Sequence, residues 1–298
     1  MPVISKFLDP TRLAHLGNLD LIARLVVEGY LRGLHRSPYR GFSVEFAEHR
    51  AYTPGDDPRY VDWRATARTD RLLVKEFEEE TNLRAVLVLD ASASMGFAGE
   101  GDIPKLEYAV YLAASLALLL LRQRDAVGLA VAREGLASYI PPRSSRRHLP
   151  ALLAQLVNLA PRSGTDFAAT LLELSHRLRR RALYIVLSDL YQPPAQIITA
   201  LAALRGQKHE CLVFHLLNPL ELELPHRGEL ILKDLESDEC ITLVPGIARR
   251  DYQRKFAAYQ KELRDGCLKH RIDYEMITTD TLLEDALGKY LIKRARLG

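Results

Sequence analysis

From Leu83 onward the chain alternates apolar runs with stretches of helical spacing, and few folds besides a parallel sheet covered by helices accept that alternation. The first run, Leu83 to Leu89, reads as a buried strand, and Leu106, Ala109, Val110, Ala113, Ala117, Leu120 and Leu121 follow at helical spacing. Ala126 to Ala132 and Leu136 to Ile140 read as strands joined by Arg133-Glu134-Gly135, a link so short that the pair must be antiparallel. Helices are expected around 145–158, 166–180 and 194–205, with strands at Leu183 to Leu187 and Cys211 to Leu216. A hairpin (Leu230 to Leu235, Ile241 to Val244) follows. Then come a helix showing Tyr252, Phe256, Tyr259 and Leu263 on one face, a strand Ile272 to Ile277, and a last helix opened by Thr281 and Glu284. The expected fold class is α/β, a doubly wound, mostly parallel sheet with one antiparallel strand, plus a small N-terminal β-containing appendage.

The division expected is 1–81 for the appendage and 82–298 for the main domain, with a hairpin inserted near 229–244. The appendage would hold a helix around 19–34 presenting Ile22, Leu25, Val26 and Tyr30, and strand-like stretches at Phe42 to Phe46 and Leu72 to Phe77 around the turn-rich TPGDDPRYVDW. Asp57, Asp62, Trp63, Arg64 and Arg68 in and after that stretch read as turn chemistry, an aromatic anchor and local ion pairs, and Glu76, Glu78, Glu79 and Glu80 as a solvated strand edge.

Composition excludes several classes. Forty-one basic and 38 acidic side chains give a net charge of only +3, too even to argue for nucleic acid. Cys211, Cys240 and Cys267 are odd in number and far apart, which fits neither a disulfide framework nor a zinc site and suits a reducing cytosol. The start MPVISKFLDP lacks a signal-peptide core, and the longest apolar run, Ala109 to Leu121, is short of the roughly 20 residues of a bilayer span. The expectation is a cytoplasmic protein without a transmembrane segment. The nine histidines show no HxxxH or HExxH spacing, and there is no GxSxG, Walker or GxGxxG motif.

The chemistry is concentrated in LVLDASASMG. Asp90, Ser92 and Ser94 leave the end of a buried strand, Asp189 leaves the end of another, and a Gly164-Thr165-Asp166 loop lies between them in sequence. Ligands of doubly wound sheets bind beyond the carboxyl ends of the strands, where strand order reverses. If these two strands are neighbours there, two carboxylates and three hydroxyls converge. These are hard oxygen donors suited to Mg2+ (or Mn2+/Ca2+), with two aspartates to balance the ion's charge.

These residues resemble the von Willebrand A fold and its metal-ion-dependent adhesion site. The likeness runs over roughly 82–280 and is carried by Asp90, Ser92, Ser94, Thr165 and Asp189 in order. The SGTDF loop departs mildly, because a second glycine is common there. The resemblance implies that the hydroxyls touch the ion and the aspartates act partly through water. The flanking RGFSVEFAEHRAYTPGDDPRYVDWRATARTDRLLVKEFEEE is similar to the bacterial domain-of-unknown-function-58 family, whose members are associated with MoxR-type AAA+ ATPases. The implied function is metal-dependent protein–protein interaction, an adaptor or co-chaperone role in which a partner's Asp or Glu completes the coordination, with no catalytic residues. A hydrolase of the haloacid dehalogenase kind would need an acid where Ser92 stands; a structural subunit with an empty site is the other alternative.

A last expectation concerns the opposite end of the sheet. Arg122 and Arg124, Arg143, Arg146 and Arg147, and Arg177, Arg179, Arg180 and Arg181 all fall where helices and the antiparallel strand end. They would form a basic pole if the topology is right.

Overall fold

The computed structural model describes residues 9–34, 49–51, 66, 73–75, 83–162, 166–178, 180–223, 230–233, 235, 239–243 and 245–295. Its centre is a six-stranded sheet built from β3 (Arg84–Asp90), β4 (Ala126–Ala132), β5 (Leu136–Arg143), β6 (Leu183–Ser188), β7 (Glu210–Leu217) and β10 (Asp273–Thr278). The order across the sheet is β10-β7-β6-β3-β4-β5, and every pair is parallel except β4 with β5. Strand order therefore reverses at β3, with β6 on one side and β4 on the other. This is the doubly wound, mostly parallel sheet with one antiparallel strand expected above.

The inner strands read as continuous apolar runs because both faces are covered: from the second residue of β3 onward, and along the whole of β6, every side chain is buried. One face carries α3 (Lys105–Arg122), α4 (Leu149–Val157) and α9 (Leu283–Ala295), which share a core with Leu87, Leu89, Leu129 and Phe214. On the other, α5 (Phe167–Ser175), α6 (Pro194–Gly206) and α8 (Pro245–Lys269) enclose Val86, Val88, Tyr184 and Val213. From Leu106 to Leu121 only Glu107 in α3 is not buried, so the helix is apolar nearly all round. The β4–β5 turn closes at Gly135, whose φ of 143° suits only glycine, with the Arg133 N–H donating to the Gly135 carbonyl at 2.8 Å.

The domain division differs from the expected one. Residues 1–33 group with 83–298 as one unit, and 34–82 form the second. The short α1 (Pro10–Ala14) and α2 (Leu19–Leu34) belong to the larger unit because Leu13, Ile22, Ala23, Val26 and Val27 are buried in the same core as α3 and α9. Leu25, expected on the apolar face, is instead 37% exposed. In the second unit β1 (His49–Ala51) pairs antiparallel with β2 (Leu73–Lys75). The expected strand Phe42 to Phe46, the TPGDDPRYVDW stretch, Asp57, Asp62, Trp63, Arg64, Arg68 and the acidic run at 76–80 lie outside the described residues. The inserted hairpin is present as β8 (Leu230–Lys233) and β9 (Cys240–Leu243), preceded by the one-turn helix α7 (Pro219–Glu223) that the sequence reading did not anticipate. Among the described residues no helix is long and apolar enough to cross a membrane.

Candidate metal site at the carboxyl edge

β3 and β6 are direct neighbours, with Leu89 opposite Leu187, so Asp90 and Asp189 leave adjacent strands at the switch point. Both are buried, at 3% and 1% exposure. The two strand ends are tied directly, Ser188 donating its hydroxyl to Asp90 Oδ2 at 2.6 Å. The Ser92 N–H donates to Asp90 Oδ1 at 3.0 Å, and the Ser92 and Ser94 hydroxyls lie 3.1 Å apart. Burial, and then the charge of Asp189, push the Asp90 carboxyl up to about 7. The protein thus holds two carboxylates together in a place that opposes their joint ionisation.

The loop that presents the serines is pinned from below. Met95 is fully buried, and a Cβ on Gly96 would stand 2.9 Å from the Pro161 ring, so this approach requires glycine. The Arg162 N–H donates to the Ala91 carbonyl at 3.0 Å, and Asp166 caps α5 through the Ala169 N–H at 2.9 Å. Thr165, between those two anchors in sequence, lies outside the described residues. On the β6 side Leu190 is held at φ 56°, a left-handed conformation that is costly for a bulky side chain and that turns the chain sharply after Asp189. The Ser188 hydroxyl accepts from the Leu190 N–H at 2.9 Å, and the Tyr259 hydroxyl donates to the Leu190 carbonyl. Asp90, Ser92, Ser94, Phe167, Asp189, Leu190, Tyr191 and Gln192 line a cavity of about 40 Å³, room for an ion and little else.

Sequence reasoning missed two residues of this site, Lys105 and Glu221. Lys105, in the first turn of α3, is fully buried; its Nζ lies 2.7 Å from Asp189 Oδ2 and 2.6 Å from Glu221 Oε1. It sits 4.8 Å from the centre of the Tyr191 ring, a cation–π distance. A cation in the first turn runs against the helix dipole, so its place is explained by these tertiary partners and not by the helix. Glu221 comes from α7, where its other oxygen accepts from the Asn218 N–H at 2.6 Å. Burial pushes the Glu221 carboxyl up, and Lys105 opposes that shift. Tyr252, on the α8 face expected from its spacing, donates to the Glu221 carbonyl at 2.5 Å. Behind Asp189, His215 is buried on β7 against the Tyr274 hydroxyl at 2.5 Å, and burial lowers its pKa to about 4, so it is neutral.

The donor set fits a hard divalent cation. Among the described residues no three His, Cys, Asp or Glu side chains gather into a metal cluster, so the ligands available are two carboxylates with hydroxyls. Counting Asp90, Asp189 and Glu221 against Lys105, the ionised site carries two net negative charges, the complement of one divalent ion.

The chain is 31% identical over 260 residues to uncharacterized proteins of Mycobacterium bovis and Mycobacterium tuberculosis, covering 86% of this chain and 81% of each of theirs. Among solved structures it is similar to the conserved hypothetical protein BatB of Bacteroides thetaiotaomicron, at 18% identity and a TM-score of 0.47, covering 72% of this chain and 99% of that one. Similarity to the SpRpn10 VWA domain is lower, at 12% identity and a TM-score of 0.40 over 70% of this chain and 95% of that one. With a match over residues 48–262, the chain belongs to the family described as protein of unknown function DUF58.

Proposed function

We propose that this protein is a metal-dependent interaction module in which Asp90, Ser92, Ser94, Thr165 and Asp189 hold Mg2+ (or Mn2+/Ca2+) and a partner's Asp or Glu completes the coordination. The observation that supports it is the gathering of Asp90, Ser92, Ser94 and Asp189 around one small cavity at the switch point. When bound, the ion supplies a Lewis-acidic position for an incoming carboxylate. The chain's own residues fix that position: Ser188 and the Ser92 N–H hold the Asp90 carboxylate, and Lys105 holds one oxygen of Asp189. The strained turn at Leu190 keeps Asp189 at the cavity wall. The finer reading, an adaptor or co-chaperone for a MoxR-type AAA+ ATPase, is supported by the family resemblance of residues 40–80.

Lys105 favours a second reading, a structural subunit in which its ammonium is the only cation the site needs. Two measurements separate the two. Calorimetric titration of the full chain with Mg2+ and Mn2+ should show one site, absent in Asp90→Ala. A pull-down read by mass spectrometry, with and without chelator, should recover a partner only in the presence of metal and only with the unsubstituted chain. Equal partner recovery from Asp90→Ala, in magnesium and in chelator, would sink the adhesion mechanism.

A further inference from the structure

The register of the sheet places Arg84, Ala126, Leu183, Glu210 and Asp273 at the amino-terminal edge, together with Arg143 opposite Val127. Every segment that reaches this edge carries basic residues. The α3–β4 link brings Arg122 and Arg124, and the end of β5 brings Arg143, Arg146 and Arg147. The α5–β6 link brings Arg177, Arg180 and Arg181 (Arg179 lies outside the described residues), and the α6–β7 link Arg205 and Lys208. Lys269 and Arg271 lie between α8 and β10. Part of this charge is matched locally: Arg122 pairs with Glu28, Arg177 with Glu173 and Arg181 with the buried Glu210, while the buried Asp125 is clasped by Arg294. Arg143, Arg146, Arg147, Arg180, Lys208 and Arg271 are exposed.

Cations at helix C-termini complement the macrodipole, each contributing about 0.3–1 kcal/mol, and that accounts for Arg122 and Arg205. It does not account for Arg143, Arg146 and Arg147, which leave an antiparallel strand and enter the start of α4, where the dipole disfavours them. The metal edge stands a strand length away, about 23 Å at about 3.3 Å per residue, beyond a Debye length of about 8 Å at physiological salt. Its carboxylates therefore do not cancel this pole.

We propose that the amino edge is a second docking surface, and that it takes a short acidic segment of a partner protein. Six strands about 4.8 Å apart give an edge of about 24 Å, the span of about seven extended residues. Arginine forks match carboxylates two oxygens at a time, and at this edge Arg181 and Arg294 already hold one oxygen each of Glu210 and Asp125. Leu268, 74% exposed beside Lys269, offers an apolar contact that a peptide side chain uses and a phosphodiester backbone does not. The large apolar side chains exposed among the described residues include one aromatic, Tyr191, and it stands at the other edge, which leaves base stacking without a platform here.

The test uses the full chain and Arg146→Glu/Arg180→Glu, compared by circular dichroism and Mg2+ titration, neither of which should change. Fluorescence anisotropy at physiological salt follows a fluorescein-labelled oligoglutamate peptide, with duplex DNA of matched charge and phosphatidylglycerol vesicles as comparison probes. The expected result is peptide binding that weakens with added salt and falls at least about tenfold in the double variant. Absent peptide binding, equal binding by the two chains, or tighter reversal-sensitive binding of DNA or vesicles overturns the proposal, the last in favour of nucleic acid or membrane.

Discussion

Replacing Lys105 with methionine keeps most of the side-chain volume and removes one buried charge. In the native structure that charge lies within 2.7 Å of Asp189 and 2.6 Å of Glu221, whose side chains are only 1% and 12% exposed. Removing one partner of a buried ion pair leaves an uncompensated charge and costs about 3–5 kcal/mol. Two carboxylates are stranded here, so the upper part of that range applies. For a chain of this size each kcal/mol moves Tm by about 2–4 °C, giving an expected fall of about 8–20 °C in chelator. Saturating magnesium restores positive charge beside Asp189, so the deficit should shrink by at least about 1 kcal/mol when urea unfolding is repeated in Mg2+. A loss under about 1 kcal/mol, the level of an exposed ion pair, would refute the burial argument. A large loss that is identical in chelator and magnesium would instead show that no ion shares Asp189.

Asp90 gives a pH prediction of definite sign. Its carboxyl stands at about 7 in the fold against 3.8 as the ordinary value, so the native state holds the proton more tightly and stability falls as pH rises through that window. In chelator the fall should amount to as much as about 4 kcal/mol and vanish in Asp90→Asn; a flat profile from pH 4 to 7, the window set by the two values, would be inconsistent with the repulsion described. Deleting the hairpin near 229–244, with α7 and α8 rejoined by a short linker, should weaken partner binding and leave the cooperative unfolding transition intact. Unchanged affinity would remove the hairpin from the docking face. Gly128→Ala should cost about 1–3 kcal/mol in urea unfolding, because the new Cβ would stand 2.6 Å from the Ile140 carbonyl oxygen, where β5 lies close against β4. An unaltered midpoint would show that β5 shifts freely.

What could be read from the chain alone follows the range of the interactions involved. Periodicity is local, so the strands from β3 to β10 and the helices between them were legible within a few residues. Asp90, Ser92, Ser94 and Asp189 were legible because each follows directly on an apolar strand, and topology brings strand ends together. Lys105 was not, since its partners lie 84 and 116 residues away and no local pattern names them. A lysine opposing the dipole of an otherwise apolar helix was the one available signal. Glu221 sits on a helix of five residues, too short for any period to show. The placement of α2 with the main core was hidden for a different reason: an apolar stripe reports that a helix is buried, and says nothing about what buries it.

That placement has a consequence for how the chain is made. Tyr30 of α2 packs on the core that contains α9, and a Cβ on Gly288 would lie 3.5 Å from its ring. During synthesis, then, α2 leaves the ribosome about 260 residues ahead of part of its own binding surface, an interval of roughly 13–50 s at about 5–20 residues per second. Until then Ile22, Val26 and Val27 form an apolar ridge without its full native cover. The native cover of α2 is therefore complete only once α9 has been made.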